Sequence, residues 1–303
     1  MTADHFDIGV AQPAEQREAL SLALSEVDPS ARAALVEALA DAPREALGPL
    51  DALMVARHAD RVVAATWAQP QAGDAASLWT PQAADSNGVR AFEALVLACA
   101  DVVAASGTPL LQALLDPQDE RRRDVLLRCG FERIAELVYL GRANPPEPPL
   151  ADDRLAWAPI TESDLPMLGE LVRLTYAGSL DCPELGDRRN ISATLRGYRA
   201  IGDSDLDGWR VGRIGEEPLA VVLCARHHGG YQAELVYMGL APAARGGGHG
   251  EELVACALRI AHAWDAEQVV TAADARNKPA RRLYERAGFA EWNRRHAFVR
   301  FNP

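Results

Sequence analysis

The stretch Ala233-Glu-Leu-Val-Tyr-Met-Gly-Leu-Ala-Pro-Ala-Ala-Arg-Gly-Gly-Gly-His-Gly250, followed by a helical pattern from Glu251, decides how the chain is read. An apolar run leads straight into a glycine-dense turn that opens a helix. The first amides of a helix have no partner within it, and with the helix dipole they bind phosphate oxygens. Glycines let the backbone touch a diphosphate where a Cβ would collide. A flexible loop with no ligand satisfies the same composition. Two other phosphate motifs do not fit. No Gly-x-Gly-x-x-Gly follows a first strand with an acidic residue about 20 positions on, and no Gly-Lys-Ser/Thr follows the glycines.

Downstream, a helical window over 250–264 and an apolar run over 268–273 lead to Asn277-Lys-Pro-Ala-Arg-Arg-Leu-Tyr284-Glu-Arg-Ala-Gly288-Phe289. Asn277 suits a helix cap, with Pro279 in the first turn where proline is tolerated. Gly288 suits the left-handed residue that ends a helix, with Phe289 packing back on it. Tyr284 shares a helical face with Ala280, Leu283 and Ala287, as a core tyrosine would. Upstream, 209–214, 219–226 and 233–240 read as strands. The window 163–175 reads as a helix capped at Thr161 or Ser163.

The same order of elements occurs earlier at a constant offset of 158 positions: Gly130-Phe131 falls on Gly288-Phe289, and Leu95-Val96 on Leu253-Val254. The first copy reads as strands over 53–57, 62–69 and 76–80, a helix over 90–105 and a strand over 110–115. A helix over 120–129 and a strand over 135–141 complete it, with helical stretches over 14–24 and 30–39 ahead. The last strand of the second copy falls at 295–301. Between the copies, 143–154 holds four prolines within five positions and reads as a semi-rigid spacer. Residues 1–142 and 155–303 are therefore expected to form two tandem domains of α/β class, each a mixed sheet with helices on both faces.

Arg245-Gly-Gly-Gly248-His-Gly250 resembles the Arg/Gln-x-x-Gly-x-Gly/Ala signature of the GNAT superfamily of acyl-CoA N-acyltransferases. The Asn277–Phe289 run resembles that family's second signature, Asn-x-x-Ala-x-x-x-Tyr-x-x-x-Gly-Phe. The doubled arrangement is similar to that of the mycothiol synthases, tandem members whose C-terminal copy is active. The resemblance implies acetyl-CoA as co-substrate, with its diphosphate held by Arg245, Gly246, Gly247, Gly248, His249 and Gly250. It implies that Met238, Gly239 and Leu240 offer backbone N–H groups to the pantetheine arm, one of them polarising the acetyl carbonyl. Asn277 would touch that arm or only cap its helix. Tyr284 would protonate the leaving thiolate, or only fill the core. Glu234 matches a glutamate that acts as general base in some members; a solvated strand-end carboxylate is the alternative. His227 and His228 are rival bases or turn residues. In the first copy the same offset puts Ala76 at Glu234, Asn87 at Arg245, Arg90 at Gly248, Phe92 at Gly250 and Leu126 at Tyr284. The first copy is therefore expected to be degenerate and not to bind acyl-CoA.

A net charge of −12 speaks against a nucleic-acid partner, which wants a basic face. Five scattered cysteines follow no metal or redox spacing and read as reduced core thiols. No apolar run approaches the roughly 20 residues that span a bilayer, and the first residues lack a signal-peptide pattern, so a cytoplasmic location is expected. Three classes of function remain. The first is acetyl transfer from acetyl-CoA to the primary amine of a small molecule by direct attack. The second is acylation of a protein or peptide amine, which Glu234 supports. The third is a non-catalytic acyl-CoA-binding module, against which Tyr284 and Glu234 speak. Acceptor choice is expected to lie in 175–185, 203–207 and Trp292.

Overall fold

The computed structural model describes residues 6–41, 50–81, 86–144, 154–188, 190–203 and 205–302. Most of the proline-rich spacer lies outside these residues. The chain divides into two compact units, one of Met1–Ile134 with His296–Pro303 and one of Ala135–Arg295. In chain order the first copy supplies β1 (Asp7–Val10), α1 (Gln16–Ala23), α2 (Pro29–Asp41), β2 (Leu53–His58), β3 (Arg61–Gln71) and β4 (Ala75–Trp79). It continues with α3 (Ser86–Ala105), β5 (Leu110–Leu115), α4 (Glu120–Arg128) and β6 (Glu132–Ala143). The second copy supplies β7 (Ala156–Pro159), α5 (Leu165–Tyr176), α6 (Ile191–Arg199), β8 (Trp209–Ile214), β9 (Glu217–His227) and β10 (Gln232–Leu240). It ends with α7 (Gly250–Ala263), β11 (Gln268–Asp274), α8 (Lys278–Arg286) and β12 (Ala290–Phe301).

In the first unit β1 to β4 are joined antiparallel in sequence, β4 runs parallel to β5, and β5 pairs antiparallel with the end of β12. One face buries Leu20, Leu24 and Trp67 beneath α1 and α2. The other buries Phe92, Leu95, Leu126 and Phe298 beneath α3 and α4. The second unit repeats the plan: β7 to β10 antiparallel, β10 parallel to β11, and β11 antiparallel to β6. There α7 and α8 cover Leu253, Ala257 and Phe289, while α5 and α6 cover Leu171, Val172 and Trp209. Each unit is a mixed sheet clad by helices on both faces, as the sequence expects.

Each copy's last strand has changed partners. β6, encoded in the first half, pairs with β11 along Leu137–Ala143, and its Val138 and Leu140 are buried in the second unit's core. The end of β12 pairs with β5 from His296 to Phe301 and buries Phe298 completely. The compact units therefore depart from the expected boundaries 1–142 and 155–303 at these two strands. The physical reason is that any extended strand offers the same backbone hydrogen-bonding groups, so local sequence marks a strand without naming the edge it joins.

The repeat itself holds to the residue where it is best defined. α4 and α8, and β6 and β12, are 158 positions apart at both ends. Each repeat's later helix starts from a side-chain cap, with Asp119 accepting from the Arg122 amide (2.9 Å) and Asn277 from Ala280 (3.2 Å). Each is followed by a left-handed glycine, Gly130 or Gly288, at φ 82°. The sequence reading misses β1, β7 and α6. The two strands have four residues each, and α6 hides in a polar stretch where only the Asn190 cap marks its start.

A fragment comprising 155–303 lacks β6 and leaves the edge of β11 and its Val138–Leu140 packing open. Burying one such aliphatic side chain is worth about 1.5–3 kcal/mol. The fragment alone is expected to lose cooperative thermal unfolding by circular dichroism, and co-expression with 1–142 to restore it.

Candidate functional site

β10 is held by β9 along its whole length, from Gln232–His227 to Leu240–Ala220, with a bulge between Leu235 and Tyr237. Its parallel pairing with β11 stops after Gln232, Ala233 and Glu234. Beyond Glu234 the two strands diverge, and a cavity of about 500 Å³ opens between them. Its walls include Leu235 to Leu240 on one side and Thr271, Ala272, Asn277 and Tyr284 on the other. At the apex of the wedge the Thr271 hydroxyl donates to the Leu235 carbonyl (2.9 Å), so a side chain satisfies a group the neighbouring strand no longer reaches.

The glycine turn closes one end of this cavity. Gly246 and Gly248 sit at φ 77° and 82°, a conformation that a side chain resists. Among the described residues none accepts a hydrogen bond from the amides of Gly246, Gly247, Gly248, His249 or Gly250. Gly246, Gly248 and Gly250 line the cavity; Gly247 and His249 do not. The His249 ring is buried and turned down onto Glu252 (Nδ1 to Oε1, 2.8 Å), and a Cβ at Gly247 would meet it at 2.9 Å. Glu252 also accepts from the amides of Arg154 (2.8 Å) and Leu155 (3.0 Å) and from the Arg154 guanidinium (3.0 Å). Burial alone would push this carboxyl up, but its hydrogen bonds from Leu155, His249 and Arg154 outweigh that and hold it below the usual carboxylate range.

Arg245 lines the cavity, yet its guanidinium is spoken for. It donates to the carbonyls of Ala177 (2.6 Å), Thr175 (2.8 Å) and Leu240 (3.2 Å), tying the turn to the end of α5. Gly239 serves the same junction: a Cβ there would sit 2.8 Å from Thr175 Cβ. Sequence reasoning assigned these residues to the ligand, whereas the side chain of one and the bare Cα of the other first admit the helix.

Tyr284 lines the cavity and is 5% exposed, packed edge-on against Phe289 at 5.5 Å. Burial pushes its phenol well above the ordinary value, the nearby Asp181 charge adds to this, and a hydrogen bond with Thr271 works against it. It is therefore an un-ionised donor at neutral pH. Asn277 caps α8 and also lines the cavity. Glu234 stands beside the apex, on the first side of the wedge, and its Oε2 lies 2.7 Å from His227 Nε2. The two residues read from sequence as rivals are partners. The side chain of His228 lies outside the described residues.

The sequence points to the strap 175–185, with 203–207 and Trp292, for acceptor choice. The structure shows how that strap is fixed. Fully buried Asp274 accepts from the Cys182 amide (3.3 Å) and from Arg276 (2.6 Å), which also grips Glu184 (2.6 Å). Asp181 lines the cavity and accepts from the Asp274 amide (2.8 Å). The available signal was Asp274-Ala-Arg276 at the end of an apolar strand, where a carboxylate has no place unless paired. Among the described residues no three His, Cys, Asp or Glu side chains gather as a metal site.

At the equivalent positions of the first unit, Phe92 and Leu126 are fully buried in the core where the second unit has Gly250 and Tyr284, and Ala76 is buried in place of Glu234. No helix among the described residues is long and apolar enough to cross a membrane.

Residues 180–289 match the model of the Acetyltransferase (GNAT) family. No curated protein sequence matches the chain. Among solved structures, the chain is similar to a GCN5-related N-acetyltransferase from Sphaerobacter thermophilus, at TM-score 0.66 and 13% identity, over 98% of this chain and 96% of that one. It is also similar to a tandem GNAT protein from the clavulanic acid biosynthesis pathway, at TM-score 0.51 and 16% identity over 98% of each chain. A third is a GCN5-related glucosamine N-acetyltransferase region of a fungal multi-domain β-N-acetylglucosaminidase, at TM-score 0.64 and 14% identity, over 99% of this chain and 38% of that one. The fold is that of the GNAT acetyltransferases.

The turn's unpartnered amides are expected to bind a diphosphate. Gly248→Val strains φ and crowds the cavity mouth, and losing two or so charge-assisted bonds costs about 3 kcal/mol, roughly a hundredfold. Calorimetric titration with acetyl-CoA reads the change, with Leu126→Val in the first unit as a control that leaves affinity unaltered.

Proposed function

We propose that the second unit is an acetyl-CoA-dependent N-acetyltransferase that acetylates the primary amine of a small molecule by direct attack, and that the first unit is a degenerate copy that binds no acyl-CoA. The observation that carries this reading is the parting of β10 from β11 after Glu234, which opens a cavity lined by the glycine turn and the buried Tyr284 phenol, with the Glu234 carboxylate at the last paired position. The amides of Gly246 to Gly250 suit the diphosphate, and the cavity-side backbone of Met238, Gly239 and Leu240 suits the pantetheine amides. A preorganised N–H at the acetyl oxygen is worth roughly 3 kcal/mol as the oxyanion develops. In support of a degenerate first copy, Phe92 and Leu126 are buried in its core at the positions of Gly250 and Tyr284.

In this scheme the amine nitrogen forms a bond to the thioester carbon, the carbon–sulfur bond breaks, and the electron pair leaves on sulfur. Tyr284 donates its proton to that sulfur. The same burial that resists ionisation of the phenol also disfavours a bare thiolate, so the hydrogen bond strengthens as the bond breaks. The proton lost by the nitrogen goes to Glu234, directly or through water, and His227 holds that carboxylate in position at 2.7 Å. The small-molecule reading is favoured over a peptide acceptor because Leu180 and Asp181 of the strap add a further wall to the cavity, which suits a compact acceptor. A pure binding module has no use for Tyr284 or for the Glu234–His227 pair.

Thiol release from acetyl-CoA in the presence of a panel of amines and peptides tests the scheme, and absence of turnover alongside tight CoA binding overturns it. Tyr284→Phe and Glu234→Gln are each expected to lower kcat by about a hundredfold, the lower end of general acid–base contributions, while leaving the Kd for acetyl-CoA within about twofold.

A further inference from the structure

The second unit's sheet has an open half. Glu234 pairs with Val270, and Val270 with Gly141, so these three share one face with Tyr139 and Ala272, two positions further along their strands. The bulge after Leu235 returns Tyr237 to that face as well, since Glu234 lies opposite Ala225 and Tyr237 opposite Leu223. Helices α5 and α6 cover this face over β9 and β10, whereas over β11 Ala272 is exposed and Val270 half-exposed. The result is a trough whose floor is small: Ala272 and Gly141.

Its two walls are aromatic. On the helix side Tyr198 stacks on Tyr237 at 5.4 Å and 18°, and Tyr176 meets Tyr237 edge-on at 5.7 Å. On the far side Trp292 leans over Gly141, where a Cβ would meet its Cδ1 at 3.4 Å, and packs on Tyr139 at 5.7 Å. Trp292 is 63% exposed, the most exposed of the large apolar side chains described. An indole held firmly by its neighbours with its outer face in water is a ready stacking surface. Between the walls stands the Glu234–His227 pair. Burial raises the Tyr139 phenol, and the Arg295 and Glu234 charges act on it in opposite senses.

Spacing selects the tether. Glu234 and Gly141 are separated by two strand spacings, about 10 Å. The Glu234 carboxylate is turned to His227 on β9, so the acceptor must do the spanning: an N–H···O contact of about 3 Å leaves about 7 Å, which a ring joined to nitrogen by two or three carbons covers. We propose that this trough is the acceptor site and takes an arylalkylamine, its flat ring stacked on Trp292 and Tyr139 and its nitrogen delivered to Glu234. This rests on the acetyltransferase reading above. An amino sugar offers the indole no π face, and a polyamine offers it no ring.

The test compares 2-phenylethylamine with 2-cyclohexylethylamine, equal in carbon count but lacking the π face, alongside glucosamine and spermidine, by thiol release from acetyl-CoA. The full-length protein is expected to favour 2-phenylethylamine in kcat/KM by about tenfold or more. Trp292→Ala is expected to erase that preference through KM, Trp292→Phe to restore most of it, and neither to change the Kd for acetyl-CoA. Equal turnover of the two amines, preference for glucosamine or spermidine, or a Trp292→Ala variant with unchanged selectivity overturns the acceptor proposal and leaves acetyl transfer standing. If no amine is acetylated, the acetyltransferase reading fails. Calorimetric titration of 2-phenylethylamine into the CoA-loaded protein then decides the trough on its own: binding lost in Trp292→Ala supports it, and no binding overturns it.

Discussion

Two neighbouring parallel strands that stay together for only three residues impose the central constraint on the second unit. Backbone groups that leave a sheet must find other partners, and a buried one left without costs about 1–3 kcal/mol. β10 tolerates the separation because β9 holds its other edge throughout. The remaining demands are met by side chains: Thr271 caps the carbonyl at the apex, and Arg245 gathers three carbonyls where β10, α5 and the glycine turn converge. What is left over faces the cavity, and it consists largely of N–H donors at one end and a phenol in the wall. The chemistry is a consequence of where the pairing stops.

The two copies share a fold while differing at the positions proposed for chemistry. Caps and helix stops, Asp119 with Gly130 and Asn277 with Gly288, occupy equivalent places and serve equivalent ends. Where the second copy keeps space, the first fills it. Phe92 and Leu126 are wholly buried, and each adds apolar area worth roughly 2 kcal/mol or more. Burying these side chains stabilises the first unit. The exchanged last strands make the copies interdependent, because Phe298 and Val138 each complete a core begun in the other half of the sequence.

Much of this was legible from residue order, and the failures have a common cause. Periodicity and caps located α4, α8, β5 and β11 to within a residue or so, since those signals are local. The same signals recognised 135–141 and 295–301 as strands but could not name their partners, because any extended strand offers either edge the same backbone groups. At the site, the structure fixes side-chain directions that residue type alone leaves open. Arg245 and His249 lie in the turn as expected, but one points to carbonyls and the other to Glu252. Glu234 and His227 are close only because β9 and β10 form a hairpin of one particular register. Tyr139 belongs to the first half of the sequence and reaches the second unit's sheet only through the strand exchange, so no local pattern announces it.

The first turn of α7 raises an apparent contradiction: Glu251 and Glu252 sit where an anion is proposed to bind. A carboxylate at a helix start suits the dipole, but it competes with a phosphate for the same field. At an effective dielectric of about 20 and a separation of about 7 Å, one unneutralised charge opposes an anion by roughly 2 kcal/mol. Glu252 is neutralised by Arg154 and by two amides from the start of the second copy, so its charge is spent inward. Glu251 pairs with Arg286, an exposed contact of less weight. Arg154 does more than cancel a charge, since its guanidinium also lies 3.4 Å from where a Cβ of Gly248 would be. The charge balance at the turn where an anion is proposed to bind thus depends on an arginine drawn from the segment that follows the proline-rich spacer. The buried carboxylate beneath the loop is the anchor that sets that arginine beside it.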